Sequence, residues 1–447
     1  MLLETIFFLK ARLYKPAWVR QFKLEMKHDL MTPEELHELN FKLRCDLLSF
    51  AFENSPFYHE LYVSAGLEPG DVKTEADWQK VPMLTREALR FNFETIKIQG
   101  LEKRGRYKLY TTGGSTGEPS KVLKDDDFSS EAMNWRAMKW AGCELGVNTA
   151  TIMRTHGEKW KAKLRHFLAT FPSTNIMLDA GNMTEESITR FFDQWRKFKP
   201  VYLSSYVGGI HQLALHCQEH NIELPPPRAI FTTAAPLTAV VKNDISKAFH
   251  CPVVDSYVAT EAHPMASQCR CLAEQGSTSL HIHSDYRHLE FADEQGLPVP
   301  EGEYGDILVT DCGDRVFPII RYRIGDRGCL LKERCSCGLP YPLMGAIHGR
   351  SFDFIHLEHG RLMGECWATA FDHCLNAVHN FQIHQFKDKS VTLSVVMNKD
   401  YPEAEKCIHA VAADLQKQLG TIPLKLEFKD YIPHNRGKIK YIISDIA

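Results

Sequence analysis

Residues 111–121 place three glycines, several hydroxyl side chains and a lysine in one short stretch. Glycines such as Gly113 and Gly114 can adopt positive φ and let the main chain approach a bound group closely. Inward-pointing backbone N–H groups, hydroxyls and a lysine charge would together bind an anion, most often a polyphosphate. The candidate contacts are Thr112, Ser115, Thr116, Gly117 and Lys121. A flexible surface turn is the alternative reading of the same composition.

This stretch lacks the spacing of a Walker loop, in which the second glycine is followed directly by lysine and then serine or threonine. Here Gly117 is followed by Glu118 and Pro119. A kinase or ATPase that cleaves the γ-phosphate is therefore disfavoured.

Polar residues also follow apolar segments that read as strands. Ser256, Tyr257, Thr260 and Glu261 lie at the end of the run 253–257, where open α/β sheets bind ligands. A carboxylate such as that of Glu261 is a suitable ligand for Mg²⁺. Further along, Asp326 follows a glycine and could accept two hydrogen bonds from a ribose diol.

Helices and strands alternate through the first three quarters of the chain. Amphipathic spacing predicts a helix from 33 that ends at 54–56, and helices at 184–199 and 208–220. Strand runs at 201–203, 229–232 and 253–257 imply a parallel sheet. Residues 288–331 predict a β-rich subdomain with strands at 306–309 and 319–322.

The pattern changes near Gly349. The remaining residues predict strands at 381–387 and 390–397, a helix at 402–419 and a strand at 424–431. The expected fold class is therefore α/β: a large N-terminal domain, residues 1–348, with parallel sheets, helices and a β-rich subdomain, and a small α+β domain, residues 349–447.

Composition bounds the function classes. The 447 residues carry a net charge of −3, so no basic footprint for nucleic acid is expected. The apolar run at 6–9 is too short for a membrane span or a signal peptide, and residues 1–20 predict either a helix packed on the body or an amphipathic surface-binding helix. Without a targeting segment, the 13 cysteines are expected to be cytoplasmic thiols or metal ligands.

Five separated segments together resemble the adenylate-forming ligase superfamily, and within it the phenylacetate–CoA ligase-like branch, which includes adenylating proteins of capsule biosynthesis. The segments are 111–121, 257–261, 321–326, 348–353 and 435–440, and 231–238 adds a weaker match. Two positions depart from the family pattern: Val258 replaces a glycine, and Phe352 replaces the first residue of the hinge pair.

The resemblance implies residue roles. Tyr257 would stack on adenine, with Ala234, Ala235 and Pro236 framing the ring and Asp326 holding the ribose. Thr260 would contact the α-phosphate, Glu261 would hold Mg²⁺, and Arg350 would reach a phosphate or the ribose. Lys438, on a small domain that is mobile in the family, would contact the carboxylate and α-phosphoryl oxygens during adenylation, with Lys440 facing solvent.

Cysteines and histidines also suggest a metal site. Cys335 and Cys337 lie one residue apart in a turn, and a cysteine and a histidine upstream would complete the Cys₃His set of structural zinc. Members of the branch often carry this arrangement, which implies Cys271, His281, Cys335 and Cys337 as Zn²⁺ ligands. Cys269 or His283 could substitute, and four unmetallated side chains remain the alternative.

The expected activity is that of an AMP-forming acid–thiol ligase. It would use ATP and Mg²⁺ to activate a small carboxylic acid, in the family an aryl or arylacetic acid, and pass the acyl group to a thiol, by analogy that of coenzyme A. Residues 202–209 would form the acyl-pocket wall, and a homodimer is compatible with the family. The alternatives are a non-CoA acceptor, as capsule-linked relatives allow, and a degenerate nucleotide-binding protein, which Val258 and Phe352 favour.

Overall fold

A computed structural model describes residues 2–101, 106–111, 120–126, 128, 130–153, 171–180, 183–347, 354–358, 361–363, 371, 374, 376–432 and 442–446. The helices within them are α1 (Leu2–Tyr14), α2 (Pro16–His28), α3 (Pro33–Asn54), α4 (Pro56–Ser64), α5 (Glu75–Trp78), α6 (Arg86–Phe91), α7 (Phe93–Ile96), α8 (Ser130–Trp140), α9 (Glu185–Phe198), α10 (Val207–Glu219), α11 (Ala239–Phe249), α12 (Arg270–Glu274) and α13 (Ala404–Leu419).

The strands of the large domain are β1 (Tyr107–Thr111), β2 (Lys121–Asp125), β3 (Thr149–Met153), β4 (Asn175–Asp179), β5 (Tyr202–Tyr206), β6 (Ala229–Thr233), β7 (Val253–Tyr257), β8 (Ala266–Ser267), β9 (Leu280–Ile282), β10 (Arg287–Ala292), β11 (Gly305–Asp311), β12 (Tyr322–Gly328) and β13 (Leu343–Met344). Those nearer the C-terminus are β14 (Phe354–His356), β15 (Arg361–Met363), β16 (Val378–Gln385), β17 (Val391–Met397), β18 (Leu424–Phe428) and β19 (Ile442–Ser444).

The central sheet of the described chain has the strand order β13-β9-β8-β7-β6-β5-β3-β4. Strands β4, β3, β5, β6 and β7 run parallel, and β8, β9 and β13 extend the sheet antiparallel. The order reverses between β3 and β5, because the chain goes outward to β4 and then returns past β3. The predicted α/β class with a parallel sheet is confirmed.

Local signals explain where the helices begin and end. Thr32 and Glu35 form a reciprocal capping box at the start of α3, and Pro33 occupies its first turn. Asn54 ends that helix because the following Ser55 is extended before Pro56. Thr184 and Thr238 cap α9 and α11 more simply, since each side chain accepts one backbone N–H.

The β-rich subdomain is the antiparallel sheet β10-β11-β12. The prediction of a strand at 319–322 is wrong in position: β12 begins at Tyr322, and Arg321 has a positive φ of 46°. Gly325, at φ 87°, lies where the register between β11 and β12 shifts, so the glycine marks a bulge within the strand.

The C-terminal unit contains the sheet β18-β17-β16-β19 with α13 packed against it. Its strands and helix match the predicted ones within a few residues. Asp244 of α11 contacts the sheet through His379, at 3.2 Å between Oδ2 and Nδ1. The predicted boundary at Gly349 lies outside the described residues and stays a prediction.

Candidate active site

The carboxyl ends of β5, β6 and β7 lie side by side in the central sheet. Thr233 of β6 pairs with Tyr206 of β5, and Thr232 pairs with Asp255 of β7. Because these strands are parallel and in register, the segments that follow them meet at one edge. The structure therefore brings together the predicted site segments at 207–209, 234–236 and 258–261.

The segment after β6 carries small side chains at Ala234 and Ala235. Ala234 has a positive φ of 75°, an uncommon conformation for a residue with a Cβ, and it turns the chain sharply after the strand. Ala235 and Pro236 are half-buried and follow in that turn. The sequence predicted that these small side chains frame a flat ring, and that role stays a prediction.

Tyr257 and Asp326 converge from distant parts of the chain. The Tyr257 hydroxyl donates to Asp326 Oδ2 at 2.8 Å, which places the carboxylate of β12 beside the end of β7. Asp326 lies within β12 and not at a strand end, because the bulge at Gly325 lets the strand continue to Gly328. The two residues predicted to hold a nucleoside are thus in contact.

Thr260 and Glu261 occupy the turn after β7, half-buried. The carboxylate of Glu261 accepts a hydrogen bond from the Tyr322 hydroxyl at 3.4 Å. Val258 of the same segment does not have a positive φ, so its backbone does not require the glycine found in the family. Ser256, at the end of β7, donates its N–H to Asp255 Oδ1 at 3.0 Å.

Strands β1 and β2 form an antiparallel hairpin that flanks the glycine-rich loop. Lys121 is the first residue of β2, is exposed, and pairs in register with Thr111. The other predicted contacts, Thr112, Ser115, Thr116 and Gly117, lie outside the described residues, as do Arg350 and Lys438. Their roles stay predictions.

Lys124 joins this hairpin to the Glu261 turn, a role the sequence analysis missed. Its ammonium donates to the backbone carbonyl of Glu261 and to Asp311 Oδ2 at 2.9 Å, and lies 3.7 Å from Asp314 Oδ2. Asp311 in turn accepts from Arg287 at 2.5 Å. From sequence, a lysine soon after a glycine-rich loop is weak evidence for such a role. The carboxylates that it contacts, Asp311 and Asp314, become known only from the structure.

Two buried carboxyl groups near the Glu261 turn, those of Asp311 and Asp255, have shifted pKa values. Burial raises the pKa of Asp311, but the charges of Arg287 and Lys124 outweigh it and hold the pKa at about 2. Burial also raises the pKa of Asp255 to about 6, against hydrogen bonding from Thr232 and the charge of Lys242. Asp255 is a second residue that the sequence analysis missed, marked only by a carboxylate in an apolar strand.

Four metal-ligating side chains cluster away from this edge: Cys269, His281, Cys335 and Cys337, with all ligand atoms within 4.8 Å of one another. The Cys269 and Cys335 sulfurs are 3.7 Å apart, and Cys337 Sγ is 3.4 Å from His281 Nε2. For Zn–S of about 2.3 Å and Zn–N of about 2.0 Å, tetrahedral geometry requires separations of roughly 3.5 to 3.8 Å. The donor set fits zinc.

The surroundings of the cluster also suit a metal. His281 Nδ1 lies 3.4 Å from the backbone carbonyl of Tyr341, an arrangement that leaves Nε2 to bind a metal. A hydrogen bond from Cys337 lowers the pKa of Cys269 to about 3, and the same contact raises the pKa of Cys337. An open pocket of about 610 Å³ borders Cys269 and Cys337, so solvent reaches the cluster.

The structure places Cys269, and not the predicted Cys271, among these four side chains. Cys269 is the N-cap residue of α12, whereas Cys271 lies inside the helix and is directed elsewhere. Cys271 Sγ contacts Ser336 Oγ at 3.1 Å and Gln275 Nε2 at 3.4 Å. The sequence left Cys269 open as an alternative ligand to Cys271, and the structure shows that alternative.

The chain is similar in sequence to known proteins of two names. No protein-family model matches the chain. The chain is 25% identical to Protein CapK of Staphylococcus aureus over 460 residues, covering 98% of this chain and 96% of that protein. It is 25% identical to phenylacetate-coenzyme A ligase of Thermus thermophilus over 329 residues, covering 72% of each.

Solved structures show the same fold. A crystal structure of 2-hydroxyisobutyryl-CoA ligase in the postadenylation state, in complex with R3-HIB-AMP, has a TM-score of 0.75 at 18% identity and covers 94% of this chain and 91% of that one. The complex of the same ligase with 2-HIB-AMP and CoA in the thioesterification state has a TM-score of 0.62 at 18% identity, covering 94% and 92%. The fold of this chain is therefore that of these ligases.

Proposed function

Since the chain belongs to the adenylate-forming ligase superfamily, in its phenylacetate–CoA ligase-like branch, we propose that it activates a carboxylic acid with ATP and transfers the acyl group to a thiol. The observation that carries this proposal is the meeting of separated segments at one sheet edge: the hydrogen bond from Tyr257 to Asp326 and the bond from Lys124 to Glu261 connect β2, β7 and β12 there.

In the first half-reaction, a carboxylate oxygen of the acid bonds to the α-phosphorus of ATP, and the bond from that phosphorus to the pyrophosphate oxygen breaks. Negative charge builds on the phosphoryl oxygens, and fixed donors stabilise it. We assign Thr260 and Lys438 to those oxygens. Glu261 would hold Mg²⁺, whose positive charge would offset that of the phosphates.

The remaining contacts position the nucleotide. Tyr257, Ala234, Ala235 and Pro236 would hold the adenine, Asp326 the ribose, and Arg350 a phosphate or the ribose. Ser256 would support the end of β7. Thr112, Ser115, Thr116, Gly117 and Lys121 would hold the pyrophosphate portion until it leaves.

In the second half-reaction, the thiol sulfur bonds to the activated acyl carbon and AMP leaves. We infer coenzyme A as the thiol and an aryl or arylacetic acid as the substrate, because two of the relatives are named for those groups: phenylacetate-coenzyme A ligases of Thermus thermophilus and Escherichia coli. The alternative acceptor is a non-CoA group, which the resemblance to capsule-linked proteins leaves open. The match to Protein CapK covers 98% of this chain, and the match to the Thermus thermophilus ligase covers 72%.

A degenerate nucleotide-binding protein is the second candidate. Val258 was one of its two supports, and the structure removes that support because Val258 needs no left-handed backbone. Phe352 lies outside the described residues and remains its support. Retention of Glu261, Asp326 and Lys438 favours the ligase.

The test is ATP–pyrophosphate exchange against a panel of aryl, arylacetic and short aliphatic acids. Acid-dependent exchange supports the ligase, nucleotide binding without exchange supports the degenerate protein, and orthophosphate release points to another ATPase.

We expect Lys438→Ala to abolish exchange while keeping thioester formation from supplied acyl-adenylate. Lys440→Ala is the matched control and should keep both. Equal loss of both half-reactions in Lys438→Ala contradicts its role in adenylation.

We further infer a structural zinc bound by Cys269, His281, Cys335 and Cys337. Four protein ligands leave no open coordination position, so the metal would hold the Cys335–Cys337 turn against α12 and β9 and take no part in catalysis.

A cytoplasmic location and a homodimer stay predictions. No helix in the described part of the chain combines the length and apolarity that a bilayer crossing requires.

A further inference from the structure

Helices α1 and α2 form an N-terminal helix pair, residues 2–28, whose aromatic side chains pack around Trp135 of α8. Phe7 of α1 packs edge-on against Trp135 of α8, and Phe22 of α2 packs against the same ring. Phe8 and Phe22 stack on each other with ring centroids 5.4 Å apart. Each helix therefore turns one face toward Trp135, partly buried in α1 and buried in α2, and leaves its opposite face exposed.

The outer face of α1 is apolar and exposed. Leu2, Leu9 and Leu13 are 74%, 54% and 79% exposed, and Tyr14 is 74% exposed. The leucines follow the spacing i, i+7, i+11, so they lie on one stripe of the helix. Phe171, 57% exposed, lies beside this helix, since its carbonyl accepts a hydrogen bond from Lys10. Several large apolar side chains grouped in this way mark an interaction surface.

The exposed charges of the helix pair are all positive. Residues 2–28 contain two carboxylates, Glu4 and Glu25. Glu4 pairs with Lys139 of the body, and Glu25 is fully buried beside Gln21. The exposed charged residues are Arg12, Arg20, Lys23 and Lys27. This local excess contrasts with the chain's net charge of −3.

We propose that the outer face of α1 and α2 lies on the surface of an anionic lipid bilayer. The exposed leucines would enter the boundary between headgroups and acyl chains, and the four basic residues would contact lipid phosphates. The 13 residues of α1 span about 20 Å, less than the roughly 30 Å of a hydrocarbon core, so the helix would lie along the surface.

A second copy of the chain fits this surface less well than lipid does. A twofold-symmetric contact places the same patch of both copies face to face. That contact would bring Arg12, Arg20, Lys23 and Lys27 close to their own equivalents, with no exposed carboxylate of the helix pair to balance them. Lipid phosphate supplies the opposite charge that this face lacks.

The test is co-sedimentation of the purified full chain with vesicles of phosphatidylcholine containing about one third phosphatidylglycerol, against pure phosphatidylcholine. We expect at least tenfold tighter binding to the anionic vesicles, since each basic residue near such a surface contributes about fivefold. Raising the salt from about 0.1 M to about 1 M shortens the screening length from about 10 Å to about 3 Å and should weaken that binding.

Two variants separate the apolar and charged contributions. Leu9→Asp with Leu13→Asp should weaken binding by about tenfold or more, and Leu297→Asp is the matched control because Leu297 is 54% exposed, like Leu9. Arg20→Gln with Lys23→Gln and Lys27→Gln should weaken binding similarly. Its control replaces three exposed lysines elsewhere by glutamine: Lys73, Lys332 and Lys387.

Circular dichroism and thermal melting establish that each variant is folded. Loss of binding in both helix-pair variants with retention in both controls supports the proposal. Equal binding to the two vesicle types, or equal losses in variants and controls, overturns it. So does absent vesicle binding together with a light-scattering mass that falls from dimer to monomer in the leucine variant, since the face would then be an interface between copies. These outcomes do not depend on ligase activity.

Discussion

Replacing Lys124 with methionine tests the ion pairs that connect the β1–β2 hairpin to the Glu261 turn. The side chain of Lys124 is 13% exposed and that of Asp311 is 2% exposed, so the pair is held largely away from water. Methionine keeps most of the aliphatic stem and removes the charge. The Glu261 carbonyl then loses its ammonium donor, and Asp314 loses the cation 3.7 Å away.

The expected loss of unfolding free energy is about 3 kcal/mol at pH 7, the lower end of the range for removing one partner of a buried pair. The lower end applies because Arg287 still pairs with Asp311 at 2.5 Å. The pKa of Asp311 is held at about 2, below its unfolded value, so its ionic contribution is present above about pH 4 and is lost as the pH falls toward 2. The cost of the substitution should shrink over that range.

Urea unfolding at pH 7 and at pH 3 measures this cost, and pyrophosphate exchange at pH 7 measures the effect on the turn. Lys108→Met is the matched control: Lys108 pairs with Lys124 in register across the hairpin, yet its own ion pair with Asp126 involves a side chain that is 56% exposed. It should cost less than about 1 kcal/mol. An equal loss from Lys124→Met at both pH values would refute the reasoning, because the lost contribution would then be packing and not charge.

Two further predictions concern the metal cluster and a buried carboxyl group. Purified protein should contain about one zinc per chain by elemental analysis; Cys269→Ser should lose most of it and Cys271→Ser should keep it, and the reverse result would restore the ligand set predicted from sequence. Burial raises the pKa of Glu25 to about 8 despite the nearby charge of Arg136, so the stability that its protonation contributes is present below about pH 4.5 and is lost as the pH rises through 8. The Glu25→Gln variant lacks this pH dependence. Its free energy of unfolding, relative to that of the wild type, should rise between pH 5 and pH 8 by up to about 1.4 kcal/mol per pH unit. Parallel pH profiles of urea unfolding for the two proteins would contradict this.

Much of the fold could be read from the sequence because its periodicity is local. Apolar runs of three to five residues between helical segments predicted β5, β6 and β7, and amphipathic spacing predicted α9 and α10. Polar residues after a buried strand, such as Thr260 and Glu261, could be expected to meet other strand ends at one edge because that rule depends on strand direction alone, and ligand binding there stays a prediction.

Other features depend on contacts between distant segments, so they could not be predicted from the sequence. The choice of Cys269 over Cys271 follows from the start of α12, because the cap residue and a residue inside a short helix point in different directions. Asp326 was expected after a strand and lies inside one, since the bulge at Gly325 depends on pairing with β11. The partners of Lys124 come from β11 and the turn that follows it, far along the chain.

The strand order also explains why the proposed acyl wall lies where it does. The central sheet reverses its order between β3 and β5, and open α/β sheets bind ligands in the crevice at such a reversal. Helix α10 begins there directly after β5, so close to the sheet that a Cβ on Gly209 would lie 3.1 Å from Ile152 Cγ2 of β3 and 3.7 Å from Ala180 Cβ after β4. A side chain at this position would require Ile152 to shift by a few tenths of an ångström, so glycine favours the close approach of the first turn of α10 to β3. The residues proposed to hold the nucleotide follow β6 and β7, the next strands in the sheet. An acid held at the reversal would thus lie beside the α-phosphate of a nucleotide held one strand further along, as adenylation requires.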